Sequence, residues 1–302
     1  MIPLFTSIPP KWNRPAMGRN FGPAWLQICI KSWIASGFRP ISLNSPAEIE
    51  GFWMLPVEFQ PVPRSRPLIS DLLDAAKRSG SRIAGIVNAD CMTIPFLPLT
   101  TALENNLDDG IVIIERLNIS RHDLRPTEQH CFGFDGFFFT IESLEKIRWS
   151  DDWKIGSVWW DYCFPLAFAA AGKKIRTLPS PGLIHLDHEK NWSREEWRSS
   201  MPRLISAIEE NAALHELAKP YLAVEHDEEF APLIETAFQW LRSRDTLYTP
   251  EYEAADELVA MMLAVMTAQP RPLSVKQLAR QFPGATVRAA KRILGGAKAS
   301  TH

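Results

Sequence analysis

Two short apolar runs, Arg82-Ile83-Ala84-Gly85-Ile86-Val87 and Gly110-Ile111-Val112-Ile113-Ile114, leave this chain few folds to choose from. Each is too short to span a bilayer, which takes about 20 apolar residues, and neither shows the alternation of a strand with one wet face. Both read as strands buried on two sides, the form that belongs to a parallel sheet covered by helices. The segments between them agree. Leu26, Cys29, Ile30, Trp33 and Ile34 recur at helical spacing within a helix expected from about Pro23 to Ser36, stopped by Gly37. Ile69, Leu72, Leu73 and Ala76 repeat the pattern before Gly80, and a further helix is expected near Leu97 to Asn106. With strands also expected over Pro3 to Ile8 and Phe38 to Leu43, residues 1 to about 120 alternate strand and helix, so the fold class is α/β with a largely parallel sheet.

From about Ser193 the character changes. Ser193-x-x-Glu196 is a capping-box pattern that opens a long helix, and the rest reads as helices broken at Pro220, Pro250 and Pro270 to Pro272. No acid follows Glu257, and seven Lys or Arg residues lie from Arg271 to Lys298. That tail reads as solvated helices, with a helix-turn-helix, a subunit contact or a peripheral membrane contact as alternatives.

Charge narrows the partners. A formal net charge of -2 gives no general electrostatic reason to expect nucleic acid. The N-terminus lacks a basic stretch followed by an apolar one, no window reaches transmembrane length, and Cys29, Cys91, Cys131 and Cys163 are scattered. A cytoplasmic protein with reduced thiols is the expectation.

Ligands of open parallel sheets collect at the carboxyl ends of the strands, so the polar residues there are the first candidates: Thr6-Ser7, Asn44-Ser45, Asn88-Ala89-Asp90 and Arg116. Asp90 could ligate Mg²⁺ or Mn²⁺, or simply cap a turn. Asp135 lies within Gly133-Phe134-Asp135-Gly136-Phe137-Phe138-Phe139, where a lone buried carboxylate would cost several kcal/mol, so it needs a partner; a turn between glycines is the structural alternative. Asp161, after Trp159-Trp160, opens a helix whose stripe is Trp160, Cys163, Phe164, Ala167 and Phe168. A carboxylate in the first turn suits the helix dipole, yet partial desolvation beside aromatic surface would also make it a general base. His185-Leu186-Asp187-His188, followed by Asn191-Trp192, suggests a metal site or phosphate contacts, although so short a motif also arises by chance.

Taken in order, Phe5-Thr6-Ser7-Ile8-Pro9, Asn88-Ala89-Asp90, Gly133-Phe134-Asp135, Trp160-Asp161 and His185 resemble the motifs of nucleotide-sugar glycosyltransferases of the GT-A fold, over residues 1 to about 195. The wider phrasing also looks like a group of uncharacterised bacterial glycosyltransferase-like proteins. The resemblance implies a GT-A, Rossmann-like catalytic domain over 1–198 and a helical C-terminal extension over 199–302. It implies a donor site at Thr6, Ser7, Ile8, Asn44, Asn88 and Arg116, a sugar or acceptor side at Phe134, Trp160 and Trp192, and a divalent ion, Mn²⁺ or Mg²⁺, on Asp90, His185 and His188. Asp161 would be the base of an inverting transfer from a nucleotide-diphosphate sugar to a hydroxyl acceptor, with Asp135 beside it. Asn88 departs from the pattern, since it stands where the first Asp of DxD belongs and offers only a neutral oxygen to a metal. A metal-dependent hydrolase using His185, Asp187 and His188, and a catalytically inactive nucleotide-sugar-binding module, are the competing readings.

Overall fold

The computed structural model describes residues 1–247 other than 13–14, 17–18, 53–54, 96, 124, 128–132, 150–151, 179–181, 189–192 and 223–229. The basic tail, Pro250, Pro270 to Pro272, Cys131 and Trp192 therefore lie outside the described residues. The chain opens with β1 (Ile2–Thr6), the short strands β2 (Pro15–Ala16) and β3 (Arg19–Asn20), α1 (Gly22–Ala35), β4 (Phe38–Asn44), α2 (Pro46–Ile49) and β5 (Glu58–Pro61). It continues through α3 (Ile69–Arg78), β6 (Ile83–Val87), β7 (Cys91–Thr93), α4 (Leu99–Asn106), β8 (Ile111–Ile119), β9 (Phe134–Thr140) and a 3-10 turn at Glu142–Lys146. Next come α5 (Trp160–Ala170), β10 (Ile175–Thr177), β11 (Leu183–Leu186), α6 (Arg194–Glu209), α7 (Ala212–Leu222), α8 (Phe230–Arg242) and β12 (Asp245–Thr246).

The fold is α/β. Among the described residues a ten-stranded sheet runs β12-β10-β8-β9-β6-β1-β4-β5, with β11 and β7 attached beside β8. All neighbours on that path are parallel except β9, which is antiparallel to both β6 and β8. Period-2 alternation divides the core between two faces. Leu4, Phe38, Val112 and Phe138 pack beneath α1 and α4, whereas Phe5, Ile41, Ile113, Phe137 and Phe139 face α3, α5 and the C-terminal helices. Each fully buried aromatic of β9 contributes about 1.5–3 kcal/mol of apolar burial, which fixes the strand that carries Asp135.

Helix limits follow the sequence signals: α1 has Pro near its first turn and stops at Gly37, whose φ of 85° is the left-handed turn a glycine accepts without strain. Ser193 and Glu196 cap α6 reciprocally, as their spacing predicts. Two expectations change. β8 does not end at Glu115-Arg116 but runs on to Ile119 after an irregularity at Ile114/Glu115. Pro220 does not break a helix, because it lies within α7, as Pro202 lies within α6. Helices α6 to α8 join the cluster of Phe137 and Phe164 through Leu204, Ile208, Leu233 and Leu241, so they close the α5 face of the sheet.

Candidate active site

Strand pairing, rather than proximity in sequence, assembles the first centre. β7 and β11 run antiparallel with His185 opposite Cys91, so Asp90, one residue before Cys91, comes alongside His185. β11 also runs parallel to the extended end of β8 with His185 opposite Asn118. Asp90 Oδ2 lies 3.4 Å from His185 Nε2 and 3.1 Å from His188 Nε2, and one ligand atom from each of the three residues falls within 4.8 Å of the others. Burial pushes the Asp90 carboxyl upward, but the two imidazoles outweigh it and hold the group well below the usual carboxylate range.

The fit to a divalent ion can be judged from the donors. His185 Nδ1 sits 2.9 Å from Asn118 Oδ1, which anchors the ring from behind and leaves Nε2 on the Asp90 side, a donor to the carboxylate when the ring is protonated and the atom that would ligate an ion when it is not. One carboxylate and two imidazoles, with one imidazole oriented from behind, form a set suited to a divalent transition metal. The turn carrying Asp90 is fixed from the other side by α1. Trp25 Nε1 donates to the Asp90 carbonyl and Trp33 Nε1 to the Cys91 carbonyl, each at 2.8 Å, and Thr93 N donates to Ser32 Oγ at 3.0 Å. Trp25, Trp33 and Asn118 are thus site residues absent from the sequence reading; the eight-residue spacing of the indoles was visible, but their acceptors were not.

A second centre adjoins the first through the same turn. Asp135 is the second residue of β9 and 1% exposed. The partners its burial demands are Arg116, which forms a salt bridge with it, and Asn88, whose side-chain amide donates to it. The backbone repeats the link, with Asn88 N donating to the Asp135 carbonyl at 3.0 Å. Asn88 therefore directs its side-chain N–H at Asp135. Cys91, buried between the centres, has its thiol pushed up by burial and then by the charges of Asp135 and Asp90, opposed by Arg116.

Asp161 stands in the first turn of α5, partly exposed. Its carboxyl is pushed up to about 7 by desolvation and then by the charge of Asp135, against the pull of Arg116 and of the Asp161 and Phe134 amide N–H groups. Gly133 makes this approach possible, because a Cβ there would come within 2.8 Å of Asp161 Oδ2. The residue before the helix, Trp159, has φ 67°, the only non-glycine positive φ among the described residues. Such a conformation costs on the order of 1–3 kcal/mol and is retained where the surroundings enforce it. Here Trp159 packs against Trp197 at 5.4 Å between ring centres, and its Nε1 reaches the Trp197 carbonyl at 3.4 Å.

Other expected site residues are placed differently. Asn44 is fully buried, donating to the Ile8 carbonyl at 2.7 Å and to Glu48 Oε2 at 3.2 Å, while Ser42 Oγ donates to Asn44 Oδ1 and accepts from Ile8 N. Its amide ties the loop after β1 to β4, so it shapes the loop and has no free group for a base or ribose. Ile8 and Thr6 are likewise buried, the Thr6 hydroxyl without a hydrogen-bond partner among the described residues, and Ser7 alone of this group is partly exposed. Phe134 stacks on Phe238 at 5.2 Å and Trp160 meets Phe137 edge-on at 5.0 Å, so both are core residues and not sugar platforms.

No helix among the described residues is long and apolar enough to cross a membrane. No protein-family model matches the chain, and no curated protein matches it by sequence. Among solved structures it is similar to a candidate nucleotide-diphospho-sugar transferase from Desulfovibrio desulfuricans G20, at 13% identity and a TM-score of 0.37, covering 72% of this chain and 96% of that one. It is also similar to the mannosyltransferase PcManGT from Pyrobaculum calidifontis, solved with GDP-Man and Mn²⁺, at 14% identity and a TM-score of 0.40, covering 95% and 79%.

Proposed function

We propose that the protein is a metal-assisted, inverting glycosyltransferase of the GT-A type, moving a sugar from a nucleotide-diphosphate sugar to a hydroxyl acceptor. What supports this reading is a three-donor cluster, Asp90, His185 and His188, joined by the Asn88–Cys91 turn to Asp135, whose charge adds to desolvation in raising the Asp161 carboxyl to about 7. Residues 1–198 would hold the chemistry, with the helices from 199 onward supporting α5.

In this reading Asp90, His185 and His188 would hold a divalent ion, Mn²⁺ in preference to Mg²⁺ because two of the three donors are imidazoles, and that ion would supply charge neutralisation for a departing diphosphate. Asp161 accepts the proton of the acceptor hydroxyl as it attacks the anomeric carbon. A base titrating close to the working pH is ionised often enough to act and basic enough to help, and such a group is typically worth about 10²–10⁴-fold. Asp135 orients Arg116 and, with it, sets the electrostatics around Asp161. The partly exposed Ser7 is the remaining donor-side contact at the end of β1. The metal cluster by itself would serve a hydrolase equally well; Asp161, a base with no metal-binding part, favours transfer to an acceptor.

The test is Asp161→Asn. It should retain binding of the nucleotide sugar and lose transfer by about a hundredfold or more, as expected when a general base is removed. Unchanged turnover, or hydrolysis of the donor at full rate without any acceptor, would reject the assignment.

A further inference from the structure

A cleft of about 750 Å³ opens between α5 and α6, and neither Asp90 nor Asp161 lines it. Its floor is the α5 face of Cys163, Ala167 and Ala170 with Ala171 just past the helix end, and α6 faces it with Ser206 and Ala207. Side chains this small cannot fill the space between two helices, so a groove remains where larger residues would have closed it. The outer wall is formed by Trp149 and Trp153: Trp149 stacks on Phe164 at 5.1 Å, Trp153 lies edge-on to Trp149 at 6.4 Å, and the Trp153 carbonyl accepts from Ile69 N at 2.7 Å.

Charge is unevenly placed around it. Lys146 and Arg148 are exposed at the tryptophan end and have no ion-pair partner among the described residues, whereas Arg203 is paired with Asp152. Glu210 and Ser206 supply polar groups farther along α6. Indole surface suits the C–H face of a sugar ring, hydroxyl and carboxylate groups suit its hydroxyls, and two uncompensated cations suit an acid group attached to it. We infer that this cleft is a binding site for an acidic saccharide, separate from the Asp90 and Asp161 centres and standing whether or not the chain is a transferase.

Tryptophan fluorescence titration of the full chain tests it, with digalacturonate as probe, maltose as the neutral control and inorganic phosphate as the charge-only control. Digalacturonate should change the emission and bind at least about tenfold tighter than maltose, a difference of about 1.4 kcal/mol and within the reach of a charge-assisted hydrogen bond. Arg148→Glu should weaken it by about tenfold or more on the same grounds, and because Arg148 is exposed the variant should melt as the wild type does. Trp153→Ala should abolish the emission change. Equal binding of maltose, displacement by phosphate at equal concentration, or an Arg148→Glu protein that binds as before would overturn the inference. None of these results bears on transfer by Asp161, which is read by turnover.

Discussion

At the scale of single residues, Asn88 and Asp161 decide most. Asn88 occupies the place of an acid in the pattern the chain resembles, and sequence reading makes it a weakened metal ligand. Its amide instead donates to Asp135, which also pairs with Arg116. An Asp at this position would set a carboxylate against a buried carboxylate. Asn88→Asp is therefore expected to lose about 1–3 kcal/mol of stability by chemical denaturation at pH 7, the cost of losing a buried hydrogen bond to a charged group. The loss should shrink toward acidic pH, where the pair can share a proton. Unchanged stability with tighter Mn²⁺ binding would instead make Asn88 a lost ligand. Asp161, raised from an ordinary 3.8 to about 7, gives two further expectations. Activity should fall below about pH 7, where the base becomes protonated. Between about pH 4 and 7 the unfolded chain has already released this proton while the folded chain still holds it, so this group makes stability fall as pH rises through that window. Asp161→Asn should remove that slope and be relatively more stable at pH 8; an identical pH dependence of stability in the two proteins would contradict the assignment.

At the scale of elements, the ligand turn is only as good as the pieces that hold it. β7 and β11 have three and four residues, too few for periodicity to reveal, and their pairing brings Asp90 to His185. This explains why the candidate ligands Asp90, His185 and His188 were legible in the sequence as isolated residues while their assembly was not. The same holds for Arg116: its type was readable, but its pairing with Asp135 depends on β8 continuing past an irregularity beside β9. Helices were legible because α1, α3 and α6 carry period, cap and stop signals within themselves. The misreadings at Asn44, Phe134 and Trp160 share one cause: polarity or aromaticity near a strand end marks a position without telling whether its side chain turns toward solvent or into the protein. Asn118→Ala removes the acceptor behind His185 and should weaken Mn²⁺ binding by about 10–100-fold in calorimetry, as for other groups that orient metal-bound histidines. Affinity equal to the wild type would mean that His185 needs no such support.

At the scale of the whole molecule, seven of the eight strands on the path from β12 to β5 run parallel among the described residues, and the antiparallel β9 is inserted between β6 and β8. That insertion brings Phe134 and Asp135 to the same end of the sheet as Asn88 and Asp90, while α5, laid across β9, presents Asp161 there. The sheet thus gathers residues from five stretches of chain, around Asp90, Arg116, Asp135, Asp161 and His185, into adjoining centres. The most direct measurement is thermal melting of wild type and His188→Ala with nucleotide-diphosphate sugars, in Mn²⁺ and in EDTA. At about 100 times its Kd a ligand adds about 2.7 kcal/mol, about 4 °C for a chain of 302 residues. Wild type with Mn²⁺ should show such a rise for at least one donor, lost in EDTA and in His188→Ala. No rise with any donor, or the same rise in all three conditions, would contradict that expectation.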